Sequence, residues 1–546
     1  MTKRSWLSVL LIVMLLGCLF PREQASGAGA PCVPVRTAVE ALGGSVLWNK
    51  EEKALKATLG QLKWSIVVGS SLSERNGKTF ELVQPAVLNA DKKVCVPLAS
   101  FGKALGVDLE QHNGKWLPKR GDAVGLGMYW MRLLQLGYFE EARSIMNGRL
   151  AAIFPADALG QYRDSLEATY GTWTLLKSDL REDLVHKHAV LVYQTPRGKS
   201  FKMELRFDRE GKLDDLAALR STSDTYLSPS YENPMAYAEE KVIVGTDGLP
   251  LPGTLTLPVP SEGKVPAVVL VHGSGPNDED ESSGGGKMFR DIAVGLANEG
   301  IAVLRYSKRT YEYPNRSLTP TFTVQEETIE DSLSAVRLLQ KDERIDPAAI
   351  YVLGHSQGGM LVPEILEQDL DKTIAGGVLL SAPSGSLEDL MLQQYKGILE
   401  RASADHETAA ELERKQAKVD AWQTAVDLLH DDAYSKEHLP ASFPLQSPYW
   451  WYDIRRYSAP MIARSQHVPL LIMQGDNDVQ VPPASLKVWK QALDSRADVQ
   501  YKSYPGLNHM YGLYGQPSTG DEYRFPSNVP ETVIQDIAEW IHLAVK

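Results

Sequence analysis

Basic charge is in short supply in this sequence. Against 69 aspartates and glutamates stand 57 lysines and arginines, a formal net charge of −12. Such a surface argues against nucleic acid or an anionic membrane face as partner, and no stretch interleaves basic with aromatic residues. Cysteine is scarce as well, three in 546 residues. Long apolar runs are absent after the first 20 residues, since none reaches the roughly 18 residues needed to span a bilayer. At this length one hydrophobic core does not suffice, and roughly two to four domains are expected.

At the start, Lys3 and Arg4 precede an almost uninterrupted apolar run from Trp6 to Phe20, followed by small and polar residues. This reads as an export signal over residues 1–30. Leu15-Leu16-Gly17-Cys18 resembles a bacterial lipobox, with Leu16 where a smaller residue is usual, and Ser26-Gly27-Ala28 or Ala28-Gly29-Ala30 resembles a signal-peptidase site. A secreted or cell-surface protein is expected: lipid-anchored at Cys18 in the cell envelope, released, or held by the apolar run as an uncleaved anchor. Cys32 and Cys95 then remain as an even pair in an oxidising setting. They suit a disulfide or two small buried hydrophobes equally, because a bridge needs Cα atoms within roughly 7 Å.

Cys32-Val33-Pro34-Val35 with Ala41-Leu42-Gly43 recurs 63 residues later as Cys95-Val96-Pro97-Leu98 with Ala104-Leu105-Gly106. Each copy predicts a short helix stopped by glycine, within a small α+β module at 31–118. Val33-Pro34-Val35-Arg36 followed by Glu40-Ala41-Leu42-Gly43 resembles the copper amine oxidase N-terminal-like domain of exported bacterial proteins, a stalk in its family. Ala99 stands where the second copy would repeat the arginine. The resemblance implies no copper chemistry, and the module has only His112.

A second small unit is expected at 121–220, helical from Tyr129 to Met146, with strands at Trp173–Leu176, His188–Tyr193 and Phe201–Phe207. It resembles the cystatin-like domains that precede some hydrolases. His186 and His188 share one face of a strand, but no third ligand lies nearby in sequence, so they read as solvated strand histidines rather than a metal site. The polar, aperiodic stretch 221–235 reads as a linker that few contacts should cross, leaving the rest able to fold alone.

From 236 to the end the pattern changes. A hairpin is expected around Asp247-Gly248. Apolar runs without alternation follow at Ala267–Val271, Ile301–Leu304, Ile350–Leu353, Gly377–Leu380 and Leu470–Met473, with helix-patterned segments between them. They predict strands buried on both faces, in a parallel, doubly wound sheet. The run at Ile350 drives into Gly354-His355-Ser356-Gln357-Gly358, a G-x-S-x-G pattern between strand and helix. A serine so placed sits on a sharp turn with its hydroxyl pushed outward.

A serine hydroxyl needs a base held in position and an acid to orient that base. In this architecture they follow in the order serine, acid, histidine. After Leu470–Met473 come two candidate acids, Asp476 and Asp478, and the G-x-x-D-x-x-V-P spacing selects Asp478. His509, in Tyr504-Pro505-Gly506-Leu507-Asn508-His509, fits the base. The oxyanion needs backbone N–H donors: Gln357 directly after the nucleophile, and Ser274, or second Gly273, in His272-Gly273-Ser274-Gly275-Pro276. These stretches, with Val303-Leu304-Arg305-Tyr306 and Lys308-Arg309-Thr310, resemble bacterial α/β-hydrolase carboxylesterases of the serine aminopeptidase and dienelactone hydrolase-like group. The resemblance implies hydrolysis of short acyl esters, a small-molecule ester as substrate, and no cofactor or metal.

Between Ser384 and Val468 the chain leaves the sheet, helix-patterned from Leu387 to Leu429 and aromatic at Tyr449-Trp450-Trp451-Tyr452, so a helical cap is expected at about 385–467. The aromatics suit an acyl pocket or glue between cap and core. The whole reads as an α/β-hydrolase fold with a helical cap, preceded by two small α+β domains. Peptidase or acyl-thioester hydrolase chemistry would use the same triad. A surface binding protein with an inactive hydrolase domain is the alternative from another class. Oligomeric state leaves no mark in the sequence.

Overall fold

The computed structural model describes residues 32–544 apart from 197, 221–224, 246–247 and 261–262. The export segment, Cys18, the first residues of the linker and Asp247 lie outside the described residues.

The sequence repeat pairs with itself. Cys32–Pro34 and Val94–Pro97 run antiparallel with Val33 opposite Val96 and Pro34 opposite Cys95, and each strand leads into its helix, Val35–Ala41 or Leu98–Leu105. Cys32 and Cys95 form a disulfide across this pair, with Cα atoms 5.5 Å apart. Between the copies lies a five-stranded antiparallel meander from Ser45 to Glu81.

Residues 123–170 form four helices, and a four-stranded antiparallel sheet follows at Thr174–Glu182, Lys187–Gln194, Ser200–Phe207 and Leu213–Arg220. The helix Ala123–Leu136 lies on this sheet, where Gly127 lets its backbone close on Ala189 and Leu205. One continuous buried apolar cluster runs from Val33 of the first module to Leu216 of the second. The two small units therefore share a core.

The largest sheet has eight strands: β1 (Tyr237–Val244), β2 (Leu251–Pro258), β3 (Val265–Val271), β4 (Ala302–Tyr306), β5 (Ile345–His355), β6 (Ile374–Leu380), β7 (Leu470–Gly475) and β8 (Val499–Tyr504), in the spatial order β1-β2-β4-β3-β5-β6-β7-β8. β1 and β2 form the hairpin, β2 meets β4 antiparallel, and the six strands from β4 to β8 are parallel. Helices pack on both faces, so β3, β5, β6 and β7 are buried almost throughout and their apolar runs show no alternation. Four cap helices, Leu387–Ala404, Ala409–His430, Pro448–Ile454 and Ala459–Arg464, are inserted between β6 and β7. Trp451 packs edge-on against Trp422 and Trp450, and the Tyr452 hydroxyl donates to Leu428 O. The cap aromatics hold the cap together and, through Trp450 and Trp451, seat it on the core of the sheet domain.

The expectation that few contacts cross the linker is overturned. Asp215 of the four-stranded sheet accepts from the Asn315 side chain and the Arg316 amide, and Asp214 pairs with the Arg316 guanidinium. His186 Nδ1 lies 2.5 Å from Glu312 Oε1 and its Nε2 2.8 Å from Asp214 Oδ2. The linker itself docks, with Tyr226 on Asp291 and Arg290, and Tyr231 O–H donating to Val529 O. A fragment starting at Tyr231 strands Glu312 and Arg316 without their partners. Deleting the preceding domain also bares to water the face that the junction buries, so the fragment loses this burial together with the pairs. In calorimetry the fragment should melt several degrees below the same domain in the full chain; equal midpoints would show that the junction adds nothing.

Candidate active site

Ser356 terminates β5 with φ 53° and ψ −120°, a left-handed conformation that costs an L-residue energy and persists only where its surroundings enforce it. The enforcement is close packing. A Cβ at Gly354 would lie 2.3 Å from Gly358 O, and one at Gly358 would lie 2.3 Å from Val271 O. Ser356 N–H donates to Leu380 O of β6, and Ser356 O accepts from Met360 in the first turn of the helix Gln357–Gln368. Strand, turn and helix are thus locked, and Ser356 stays partly exposed while His355 and Gln357 are buried.

Of the two candidate acids, Asp478 faces the histidine. His509 Nδ1 lies 2.8 Å from Asp478 Oδ2, and Oδ1 accepts from the backbone N–H groups of Gln480 and Val481. Burial alone would push the Asp478 carboxyl up, but His509 and the Val481 amide outweigh it and hold it below the usual carboxylate range. Asp476 instead accepts from Gly506 N–H and so ties the loop after β7 to the loop after β8. Asn508 builds the turn that carries His509, its Oδ1 accepting from the amides of Met510 and Gly512. Among the described residues no hydrogen bond joins Ser356 Oγ to His509 Nε2.

Gly273 is corrected as an oxyanion donor. Its N–H is already given to Glu281 Oε1 at 2.8 Å. The amides of Ser274 and Gln357 make no hydrogen bond among the described residues, and Ser274 is exposed. Glu281 was not singled out in the sequence, and neither was the bond it makes to His355 Nδ1, 3.1 Å. His355 Nε2 in turn meets His509 O at 2.9 Å, with the two rings 4.6 Å apart. Burial disfavours charge on His355, but Glu281 outweighs burial and the imidazole is raised above its ordinary value. The signal for Glu281 was an acidic run, Asp278-Glu279-Asp280-Glu281, that resembles any solvated loop.

His186 and His188 are buried, which corrects their reading as solvated, and Glu312 from the catalytic domain supplies the third group that the local sequence lacked. His186, His188 and Glu312 bring ligand atoms within 4.8 Å of one another. Each ring nitrogen already faces a carboxylate: His186 meets Asp214 and Glu312, and His188 meets Asp183 and Glu204. Arg206, Arg181 and Arg316 supply the compensating positive charge. The group forms a buried ion-pair lattice between domains, in which Glu312 Oε2 and the Arg206 guanidinium nitrogens make no hydrogen bond among the described residues.

A family model described as the alpha/beta hydrolase family matches residues 268–519, and one described as the copper amine oxidase N-terminal domain matches residues 23–117. Esterase EstD of Thermotoga maritima is 34% identical over 414 residues, 74% of this chain and 91% of that protein. The chain belongs to the α/β-hydrolase family. Within it, this is an ester-cleaving hydrolase of the carboxylesterase type. The match to the Thermotoga esterase is longer than the stretch from 236 to 546, so the similarity extends upstream of the hydrolase domain. Among solved structures, Est1E from Butyrivibrio proteoclasticus is 19% identical, with 56% of this chain and 98% of that one covered at a TM-score of 0.36. The Pyrobaculum calidifontis esterase is 17% identical, with 57% and 87% covered at 0.35.

The contact of Gly358 with Val271 O gives a direct test of the hydrolase's turn. Gly358→Ala places a methyl where a carbonyl oxygen already sits, so the elbow should fail to close. Insoluble protein or loss of the folded far-UV signal is expected, and a folded, fully active variant would show that the packing tolerates a Cβ.

Proposed function

We propose that this esterase is a serine hydrolase acting through an acyl-Ser356 intermediate, with His509 as general base and acid and Asp478 holding its imidazole. One observation carries the reading: a serine on a strained, partly exposed turn whose flanking loops present a buried His509–Asp478 pair at 2.8 Å. Asp478 binds Nδ1 and leaves Nε2 as the nitrogen that takes the serine proton. Attack of Oγ on the ester carbonyl forms a tetrahedral oxyanion, which the Ser274 and Gln357 amides receive. His509 then protonates the leaving alcohol, and water, deprotonated by the same nitrogen, releases the acid. A longer contact between nucleophile and base in the substrate-free state is common in such sites.

Short acyl esters are the proposed substrates, on the strength of the resemblance to carboxylesterases of that preference. Export through residues 1–30, with or without a lipid on Cys18, is proposed for the whole chain. The Cys32–Cys95 disulfide supports it, because disulfides persist outside the reducing cytosol. Purified protein should turn over acetyl to butyryl aryl esters with higher kcat/KM than dodecanoyl esters, and aminoacyl amides or acyl thioesters more slowly. A preference for amides would transfer the site to the peptidases.

Ser356→Ala should abolish both turnover and fluorophosphonate labelling while the fold is kept. Labelling that persists would remove Ser356 from the mechanism. Asp478→Asn should lower kcat by about 10³–10⁴-fold, because an amide fixes the wrong tautomer and cannot stabilise the imidazolium. Asp476→Asn, which touches only the loop at Gly506, should act mainly on stability.

A further inference from the structure

The N–H of Ser274 and the carbonyl of Gly273 belong to one peptide unit. A trans peptide holds them antiparallel in a plane, so whatever fixes the carbonyl also aims the N–H. Lys308 Nζ lies 2.8 Å from Gly273 O. Its ammonium also polarises the unit, and a charge-assisted bond to the carbonyl makes the N–H at the other end a better donor. The N–H of Gly273 is meanwhile held by Glu281. The loop is therefore gripped on both sides of the residue that precedes Ser274.

Lys308 is itself held in place. It is 2% exposed, its backbone N–H donates to Asn277 O of the same loop, and its ammonium pairs with Glu327 Oε1 at 2.7 Å. The second oxygen of Glu327 accepts the indole N–H of Trp450 at 2.7 Å. Trp450 stands on the cap helix Pro448–Ile454, and Glu327 on a single π-helical turn, Gln325–Ile329, ahead of the helix Glu330–Gln340. A buried chain of contacts thus runs from the cap through Glu327 and Lys308 to the peptide of Ser274.

We propose that Lys308 is a positioning residue for the oxyanion donor Ser274, and that Glu327 and Trp450 make the seating of the cap part of the same device. The inference rests on the reading of Ser274 and Gln357 as oxyanion donors. Lys308 touches no substrate; it acts on the reaction by aiming and polarising one N–H. Its effect belongs to the transition state, where the oxyanion exists, and not to ground-state binding.

The test is the double variant Lys308→Met/Glu327→Gln, which removes both charges together and leaves neither buried alone. The folded double variant should keep KM within about threefold while kcat falls about 10–100-fold, less than the loss of a whole oxyanion donor. Binding of an aryl trifluoromethyl ketone, which places an oxyanion in the hole, should weaken by the same factor. Trp450→Phe keeps a smaller aromatic ring in place and loses the indole N–H, so it should move kcat in the same direction by less. A folded double variant with kcat and ketone affinity within about twofold of the parent enzyme would overturn the proposal. Should the double variant not fold, Glu327→Gln alone is read by the same criteria. An inactive Ser356→Ala beside an unimpaired double variant sinks only the role of Lys308, whereas an active Ser356→Ala sinks the mechanism beneath it.

Discussion

The left-handed backbone of Ser356 is the condition on which the catalytic domain is built. A strained turn relaxes unless something denies it room, and here the denial is geometric. Gly354 and Gly358 bring strand and helix so close that their α-hydrogens occupy the space between backbone oxygens. The Ser356 amide is also spent on the neighbouring strand β6. That strand and β3 on the other side must therefore be in register before the turn can exist. The parallel sheet is less a platform for the serine than the clamp that keeps its conformation from relaxing.

Around the turn, a few buried ionic groups tie together loops that come from distant parts of the chain. Glu281 joins the loop after β3 to His355 at the end of β5, and His355 joins the loop after β8 through His509 O. Lys308, just after β4, reaches back to the loop after β3. Each group is fully or almost fully buried, where an unpaired charge is costly, so each contact is an all-or-none commitment to one geometry. The catalytic loops are ordered by these links between neighbours rather than by their own sequences.

Much of this was legible in the sequence and some was not, for reasons that follow from range. The sheet announced itself because strands buried on both faces must be apolar throughout, and Ser356, Asp478 and His509 because their turns need glycine and proline at fixed offsets. The strand Leu213–Arg220 left no such mark: Leu213, Leu216 and Leu219 carry a helix-like spacing, and pairing with Ser200–Phe207 overrides it. Gly273 offered two peptide groups, and nothing local reveals that Glu281 takes the N–H. His186 and His188 read as exposed because one group that faces both, Glu312, lies more than a hundred residues away across the linker. Composition cannot tell a solvated charge from one half of an interdomain pair.

The bridge between Cys32 and Cys95 also determines how the molecule carries load. A pull applied upstream of Cys32 does not travel through the meander from Ser45 to Glu81. It crosses the sulfurs to Cys95 and enters the helix Leu98–Leu105 and the core shared with the second module. The covalent line of force bypasses the meander, whose inner residues still pack in that shared core. Any force on the chain's start therefore reaches the catalytic half by the shortest covalent route, and the five-stranded sheet can vary in sequence or open locally without lengthening it.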